Sequence, residues 1–191
     1  MKVKIYGLAG TNGAGKDSLA EMLVERHKFY FAIATDMLRE ELEVRGWPTD
    51  RVHKSKLSSE WRRQYGMAAI VDRAWEDFKK VKDQYDGIII GSLRHPGEVD
   101  KIHELGGEVI WVDADPQIRY ARIQNNDRGR IEDRKTFDEF MADEAREMQP
   151  EGDEATLHVA AVKTKADIFI DNNGNDITAF KDSAEKQLYK H

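Results

Sequence analysis

Residues 10–18, GTNGAGKDS, set two glycines with four residues between them just ahead of a lysine. This is phosphate chemistry. Glycine lets the backbone N–H groups of Asn12, Gly13, Ala14, Gly15 and Lys16 converge on a β-phosphate, while a helix starting inside the loop adds favourable potential and Lys16 reaches between the β- and γ-phosphates. The expected ligand is a nucleoside triphosphate acting as phosphoryl donor, ATP or another. Asp17 departs from the pattern, because Ser or Thr there would place a hydroxyl on Mg²⁺. Two readings stay open: Asp17 offers a carboxylate to the metal, directly or through water, with Ser18 one residue late; or it favours the first helical turn by its charge.

Transfer, as opposed to hydrolysis, needs a second anionic site. Arg39 lies three residues after Asp36 on one helix face. Arg94 follows an apolar run in GSLRHPGE, at the sheet edge where open α/β proteins bind ligands. Arg119 and Arg122 share a helix face, and Arg128 and Arg130 stand in the polar stretch NNDRGRIEDR. Guanidinium forks suit bidentate phosphate recognition and offset the charge of a moving phosphoryl group. Each arginine alone is better explained by a solvated surface; their places at strand ends and in a lid-like loop shift the balance toward the site. Trp61, Arg62, Arg63 and Tyr65 are candidates to stack on or anchor a base, although the helical spacing of Trp61 and Tyr65 more readily puts both in a core.

The elements that must position these residues follow from periodicity and punctuation. Apolar runs at 3–8, 29–34, 88–90, 108–112 and 167–170 read as five strands. Helical spacing covers 16–27, 37–45, 55–65, 67–79, 98–105, 116–124 and 177–189, with Thr35 or Asp36 capping the second of these and Asp115–Pro116 opening the sixth. Thr136 and Glu139 form a capping box for a helix that carries Phe137, Phe140, Met141, Glu144 and Met148. Residues 125–134 read as a loop, 150–154 as a flexible acidic stretch and 172–176 as a turn. Strands alternating with helices predict an α/β fold: a five-stranded parallel sheet covered on both faces, in three layers.

With 191 residues, 40% apolar and 35% charged, the chain reads as one soluble domain. A formal net charge of −6 argues against a nucleic-acid partner. Zero cysteines exclude disulfides and thiolate metal sites. The six histidines lack the spacing of a metal site. No apolar run has the length of a membrane span, so the expected location is cytoplasmic. The oligomeric state, a homodimer included, is open.

The order of the phosphate loop, TDMLRE at 35–40, GSLR at 91–94 and RYARIQNNDRGR at 119–130 resembles the P-loop nucleoside monophosphate kinase superfamily. Adenylate kinases carry similar segments whose arginines grip the acceptor phosphate or close over it. By that likeness Arg39 and Arg94 hold the acceptor phosphate, Arg128 and Arg130 are lid arginines, and Asp36 helps organise the Mg²⁺ water shell. GKD followed by Ser looks like phage-type deoxynucleoside monophosphate kinases. Longer segments, including RRQYGMAAIVDRA and ADIFIDNNGN, look like archaeal-type kinases labelled as similar to dephospho-coenzyme A kinase, in which the DNNGN turn, here Asn172 to Asn175 with Asn173 and Gly174 as the ATP-binding candidates, lies near the adenine of ATP. The resemblance implies one P-loop kinase domain: a core at about 1–46 and 86–191, a helical acceptor-binding insert at about 36–80 and a short lid at about 125–135. The implied activity is transfer of the γ-phosphoryl group to a nucleoside or deoxynucleoside monophosphate, a small-molecule acceptor. A hydroxyl acceptor of the dephospho-coenzyme A kind, with Asp36 as base, and a non-catalytic nucleotide-binding regulator are the alternatives.

Overall fold

A computed structural model describes residues 3–125, 135–149 and 152–189. Five strands, β1 (Lys4–Gly10), β2 (Phe29–Ile33), β3 (Gly87–Gly91), β4 (Glu108–Asp113) and β5 (Ile168–Asp171), pair in parallel in the order β2-β3-β1-β4-β5. β1 is therefore central, and its carboxyl end opens between those of β3 and β4.

The strands read as continuous apolar runs because both sheet faces are covered. Alternation sorts their side chains. Ile5, Ala9, Ile88, Ile90, Val109 and Trp111 face one way, against Val71, Phe78, Val99, Ile102 and Val162. Tyr6, Leu8, Ile89, Ile110, Val112 and Ile170 face the other, against Leu19, Met22, Leu23, Phe180 and Ala184. The first layer thus comprises α4 (Ala69–Lys79), α5 (Pro96–Glu104) and α8 (Val159–Lys165), and the second comprises α1 (Lys16–His27) and α9 (Ile177–Leu188). Three layers result, as the sequence predicts. Between β2 and β3, α2 (Ala34–Val44) and α3 (Arg51–Tyr65) join α4 around Leu38, Leu42, Leu57, Trp61 and Ile70. α6 (Pro116–Asn125) and α7 (Phe137–Met148) complete the helices among the described residues.

Several boundaries differ from the sequence expectation. α2 begins at Ala34 directly out of β2, with Ile33 at its N-cap and no side-chain cap, so neither Thr35 nor Asp36 is its cap. α3 begins four residues earlier than expected, because the Asp50 carboxylate accepts from His53 N–H and caps the helix there. α8 and a short 3₁₀ turn at Lys82–Gln84 are absent from the sequence expectation. Seven residues give α8 too few turns to show a face in the sequence. Trp61 is buried as its spacing implies, but Tyr65, at the end of α3, is 63% exposed and is not core. The Thr136 capping box forms as expected: Glu139 N–H donates to Thr136 Oγ1 and Thr136 N–H to the Glu139 carboxylate. Residues 126–134, with Arg128 and Arg130, lie outside the described residues, as do 150 and 151.

Candidate active site

β1 stops at Gly10 and α1 starts at Lys16, so residues 10–16 form a loop at the sheet's carboxyl edge. All three of its glycines are required by geometry: Gly10 has φ 137° and a Cβ there would lie 2.0 Å from the Val112 carbonyl oxygen. Gly13 has φ 79° and a Cβ there would lie 2.7 Å from the Arg119 carbonyl oxygen; Gly15 has φ 100° and a Cβ would lie 2.4 Å from Asn172 Nδ2. The loop is held from outside by four polar struts. Thr11 Oγ1 donates to Asp113 Oδ1 at 2.7 Å. Arg119 Nη1 donates to the Asn12 carbonyl at 3.3 Å, and Arg122 Nη1 to that of Gly13 at 3.5 Å. Asn172 Nδ2 donates to the Ala14 carbonyl at 2.8 Å. Burial alone would raise the Asp113 carboxyl, but donors from Thr11, Lys163 and Trp111 hold it below the usual carboxylate range.

Lys16 folds over the same loop, donating to the carbonyls of Gly10 at 3.0 Å and Thr11 at 2.6 Å. Burial, and next the Arg94 guanidinium, push its ammonium down to about 8, while Asp17 and Glu147 oppose them. Asp17, in the first turn of α1, is exposed and Ser18 beside it is partly so. No group of three His, Cys, Asp or Glu among the described residues is arranged to hold a metal by itself. A Mg²⁺ site made of one carboxylate, a hydroxyl, water and phosphate oxygens needs no such group, so Asp17 and Ser18 fit it.

Opposite the loop stands Arg94. Ser92, with φ 67°, turns the chain out of β3, and the Arg94 and His95 N–H groups then donate to Glu98 Oε2 at 2.7 and 3.1 Å. Glu98 is itself buried against Arg62, 2.7 Å away. The Arg94 side chain pairs with Glu147 Oε2, while Arg51 pairs with Oε1 of the same carboxylate. Burial would raise the Glu147 carboxyl, but Arg94 and Arg51 keep it depressed. Glu144, one turn earlier on α7, pairs with the buried Arg119.

Three cavities meet at Glu147. The first, about 60 Å³, lies between Gly10, Thr11 and Asn12 on one side and Arg94, Glu147 and Phe140 on the other. The second, about 140 Å³, runs from Asn12 past Thr35 and Leu38 of α2 to α3; its basic lining residues are Arg51, Lys54, Arg62 and Arg94, and its one acidic lining residue is Glu147. The third, about 600 Å³, continues between α3 and the end of α7 past Lys56, Arg63 and Arg146. The arrangement brings an anion cradle and a cation-lined cavity to one point.

The residues singled out from the sequence divide accordingly. Asn12 and Arg94 line the first two cavities together, while Lys16 lines none of the three and reaches the Gly10 and Thr11 carbonyls beside them, near enough for the Arg94 charge to act on it. Asp36 and Arg39 pair with each other at 2.8 Å, both 42% exposed, and neither lines these cavities. Arg63 pairs with Asp153 at 2.7 Å and lines only the third cavity. Arg122 donates to carbonyls of Gly13, Asn172 and Gly174 and so joins the phosphate loop to the 172–174 turn, while Asn173 Oδ1 accepts from Asp115 N–H just ahead of α6. Arg51, Asp113 and Glu147 carry no mark in the sequence that singles them out; Asn172 belongs to the DNNGN turn, and its side chain holds the Ala14 carbonyl of the phosphate loop. The one available signal is Asp50 as an N-cap, which puts Arg51 on the first turn of α3.

A family model described as an AAA domain matches residues 7–150. The chain belongs to that family. A UPF0200 protein of Pyrobaculum aerophilum is 28% identical over 188 residues, covering 97% of each chain. A UPF0200 protein of Pyrococcus horikoshii is 26% identical over 170 residues, 87% of this chain and 86% of that one. Among solved structures, shikimate kinase from Bacteroides thetaiotaomicron superposes with a TM-score of 0.61 at 15% identity, covering 98% of this chain and 99% of that one. A gluconokinase from Sinorhizobium meliloti gives 0.55 at 15% identity over 99% and 93%. The fold is therefore that of the P-loop kinases, in three α/β layers. Among the described residues no helix is long and apolar enough to cross a membrane.

Proposed function

We propose that the chain is an ATP-dependent phosphotransferase that moves the γ-phosphoryl group to the phosphate of a nucleoside or deoxynucleoside monophosphate. One observation carries this reading: the second cavity, with Arg51, Lys54 and Arg94 in its lining, opens on Asn12 of the phosphate loop. Phosphoryl transfer asks little covalent chemistry of a protein and much positioning and charge compensation. Lys16 would clamp the β- and γ-phosphates. Arg94, with Arg51 beside it, would hold the acceptor phosphate in line. Mg²⁺, held by Asp17 and Ser18, would supply further charge compensation on the donor's phosphates. Asn173 and Gly174, braced by Arg122, are proposed to lie at the adenine. Asp36 and Arg39 flank the lining residues Thr35 and Leu38 along α2, and α2–α4 would serve as the acceptor insert. Arg128 and Arg130 are proposed for the lid on the resemblance alone.

The test is a coupled ADP-release assay run across the common ribonucleoside and deoxynucleoside monophosphates and dephospho-coenzyme A. One acceptor that raises turnover well above background supports transfer. Tight ATP binding with stimulation by none of them would instead leave a nucleotide-binding regulator. The third cavity favours a second reading. Its ~600 Å³ is room that a small acceptor phosphate does not need, which suits a longer acceptor of the dephospho-coenzyme A kind.

A further inference from the structure

Glu147 sits where an acceptor phosphate is wanted. Its carboxylate, 17% exposed, takes Arg51 with one oxygen and Arg94 with the other, and it borders all three cavities. Nothing in the P-loop itself calls for it. A pair of guanidinium groups facing a phosphate cradle is a ready seat for a tetrahedral dianion, yet here one carboxylate from α7 already fills the fork.

We propose that Glu147 is a specificity-determining residue, a resident carboxylate that an incoming acceptor must displace from Arg51 and Arg94, and that it thereby selects dianionic phosphate groups over monoanionic carboxylates. This rests on the phosphotransferase reading for its biological meaning. The physical reasoning is an exchange balance. A monoanion arriving at the fork replaces one carboxylate with another, gains nothing in charge, and moves Glu147 from the fork to weaker partners, so the exchange is unfavourable. A phosphate dianion brings twice the charge and enough oxygens to accept from both guanidinium groups, so the exchange becomes favourable. The displaced carboxylate has a place to go, because Glu147 also faces the third cavity, where Lys56, Arg63 and Arg146 line the wall. Arg63 and Arg146 are paired there with Asp153 and Asp143, so that wall accommodates the carboxylate without binding it as firmly as the fork does.

The same exchange ties acceptor binding to the donor side. Glu147 stands one turn beyond Glu144, whose carboxylate holds Arg119, and Arg119 in turn holds the Asn12 carbonyl in the phosphate loop. α7 thus carries both the resident of the acceptor seat and a strut of the donor seat, and release of Glu147 loosens one hold of α7 on the site.

The experiment measures inorganic phosphate and acetate binding by titration calorimetry at constant ionic strength, with wild type, Glu147→Gln, and Glu147→Gln combined with Arg51→Gln. Glu147→Gln removes the competing charge from the fork but keeps the shape. It is expected to bind phosphate about tenfold or more tightly than wild type. It is also expected to bind acetate, which wild type discriminates against. The gain should vanish in the double variant, which locates it at the fork and not in the phosphate loop. Unchanged or weaker phosphate binding by Glu147→Gln, or a gain that survives loss of Arg51, overturns the proposal. Should Glu147→Gln fail to fold, hydrogen exchange on wild type decides: saturating phosphate is expected to speed exchange in the 137–148 segment, and unchanged or slowed exchange there counts against displacement. Calorimetry needs no turnover, so the two ideas separate. If no acceptor stimulates ADP release while Glu147→Gln gains phosphate affinity, the phosphotransferase reading falls and the displacement proposal stands. If an acceptor stimulates ADP release while Glu147→Gln gains nothing, the proposal falls and the phosphotransferase reading stands.

Discussion

Replacing Glu98 by Gln should destabilise the protein out of proportion to the size of the change. Glu98 and Arg62 have side chains only 1% exposed each, 2.7 Å apart. The substitution is nearly isosteric, but it leaves the Arg62 guanidinium buried and uncompensated, a situation that costs about 3–5 kcal/mol. Hydrogen bonds from Arg62 Nη1 to the Ala155 carbonyl at 3.2 Å and to Ser58 Oγ at 3.3 Å remain, which puts the expected loss toward the lower end. Against a typical domain stability of about 5–15 kcal/mol that is a large fraction, and for this chain length it corresponds to roughly 6–20 °C in Tm. The assay is urea unfolding followed by far-UV circular dichroism. Arg62→Met added to Glu98→Gln removes the stranded charge, while the introduced amide keeps a carbonyl oxygen for the N–H groups of Arg94 and His95. Most of the loss, to within about 1–2 kcal/mol, should therefore return in the double variant. A Glu98→Gln protein within about 1 kcal/mol of wild type, or a double variant no better than the single, would refute the view that this pair is a buried structural ion pair that sets Arg94 in place.

Arg94→Ala should raise KM for the acceptor by about tenfold or more while ATP affinity changes little; titration of each ligand separately checks this, and equal damage to both contradicts the assignment. Asp17→Ser should retain or raise activity and shift the Mg²⁺ requirement only modestly, whereas a collapse measured at saturating Mg²⁺ would give the carboxylate a role of its own. Lys16 titrates near 8 in the free protein, below its ordinary 10.5. Below about 8 it carries the charge proposed to clamp phosphate, so ATP affinity measured calorimetrically should fall as pH rises through that value. The same depressed value means that the unfolded chain binds more protons between about 8 and 10.5, so Lys16 alone makes the ligand-free protein gain stability across that window. Lys16→Ala should abolish that gain in urea titrations and remove most transfer activity.

The fold was legible because it rests on local pattern. Five short apolar runs separated by amphipathic stretches admit few arrangements other than a parallel sheet covered on both faces, and the alternation of Ile88, Ile89 and Ile90 between two cores is what such runs require. α8 was illegible because seven residues show too little periodicity, and Tyr65 misled because helical spacing says which face a residue shares but not where the neighbouring helix ends. The donor half of the candidate site was legible for a similar reason. GTNGAGK is contiguous, and its glycines answer to backbone geometry within the segment and one contact each.

The acceptor half was not. Arg94 stood out from its place after a strand, but its partners come from residues 51 and 147, and no local pattern links positions almost a hundred residues apart. Asp36 and Arg39 drew attention for their spacing, and that spacing pairs them with each other on a half-exposed face of α2. By itself the sequence determined the layers and the phosphate loop, since periodicity and glycine freedom act over a few residues. Only the tertiary structure decided which charges meet, because ion pairing depends on distances of a few ångströms between helices whose packing no single segment encodes.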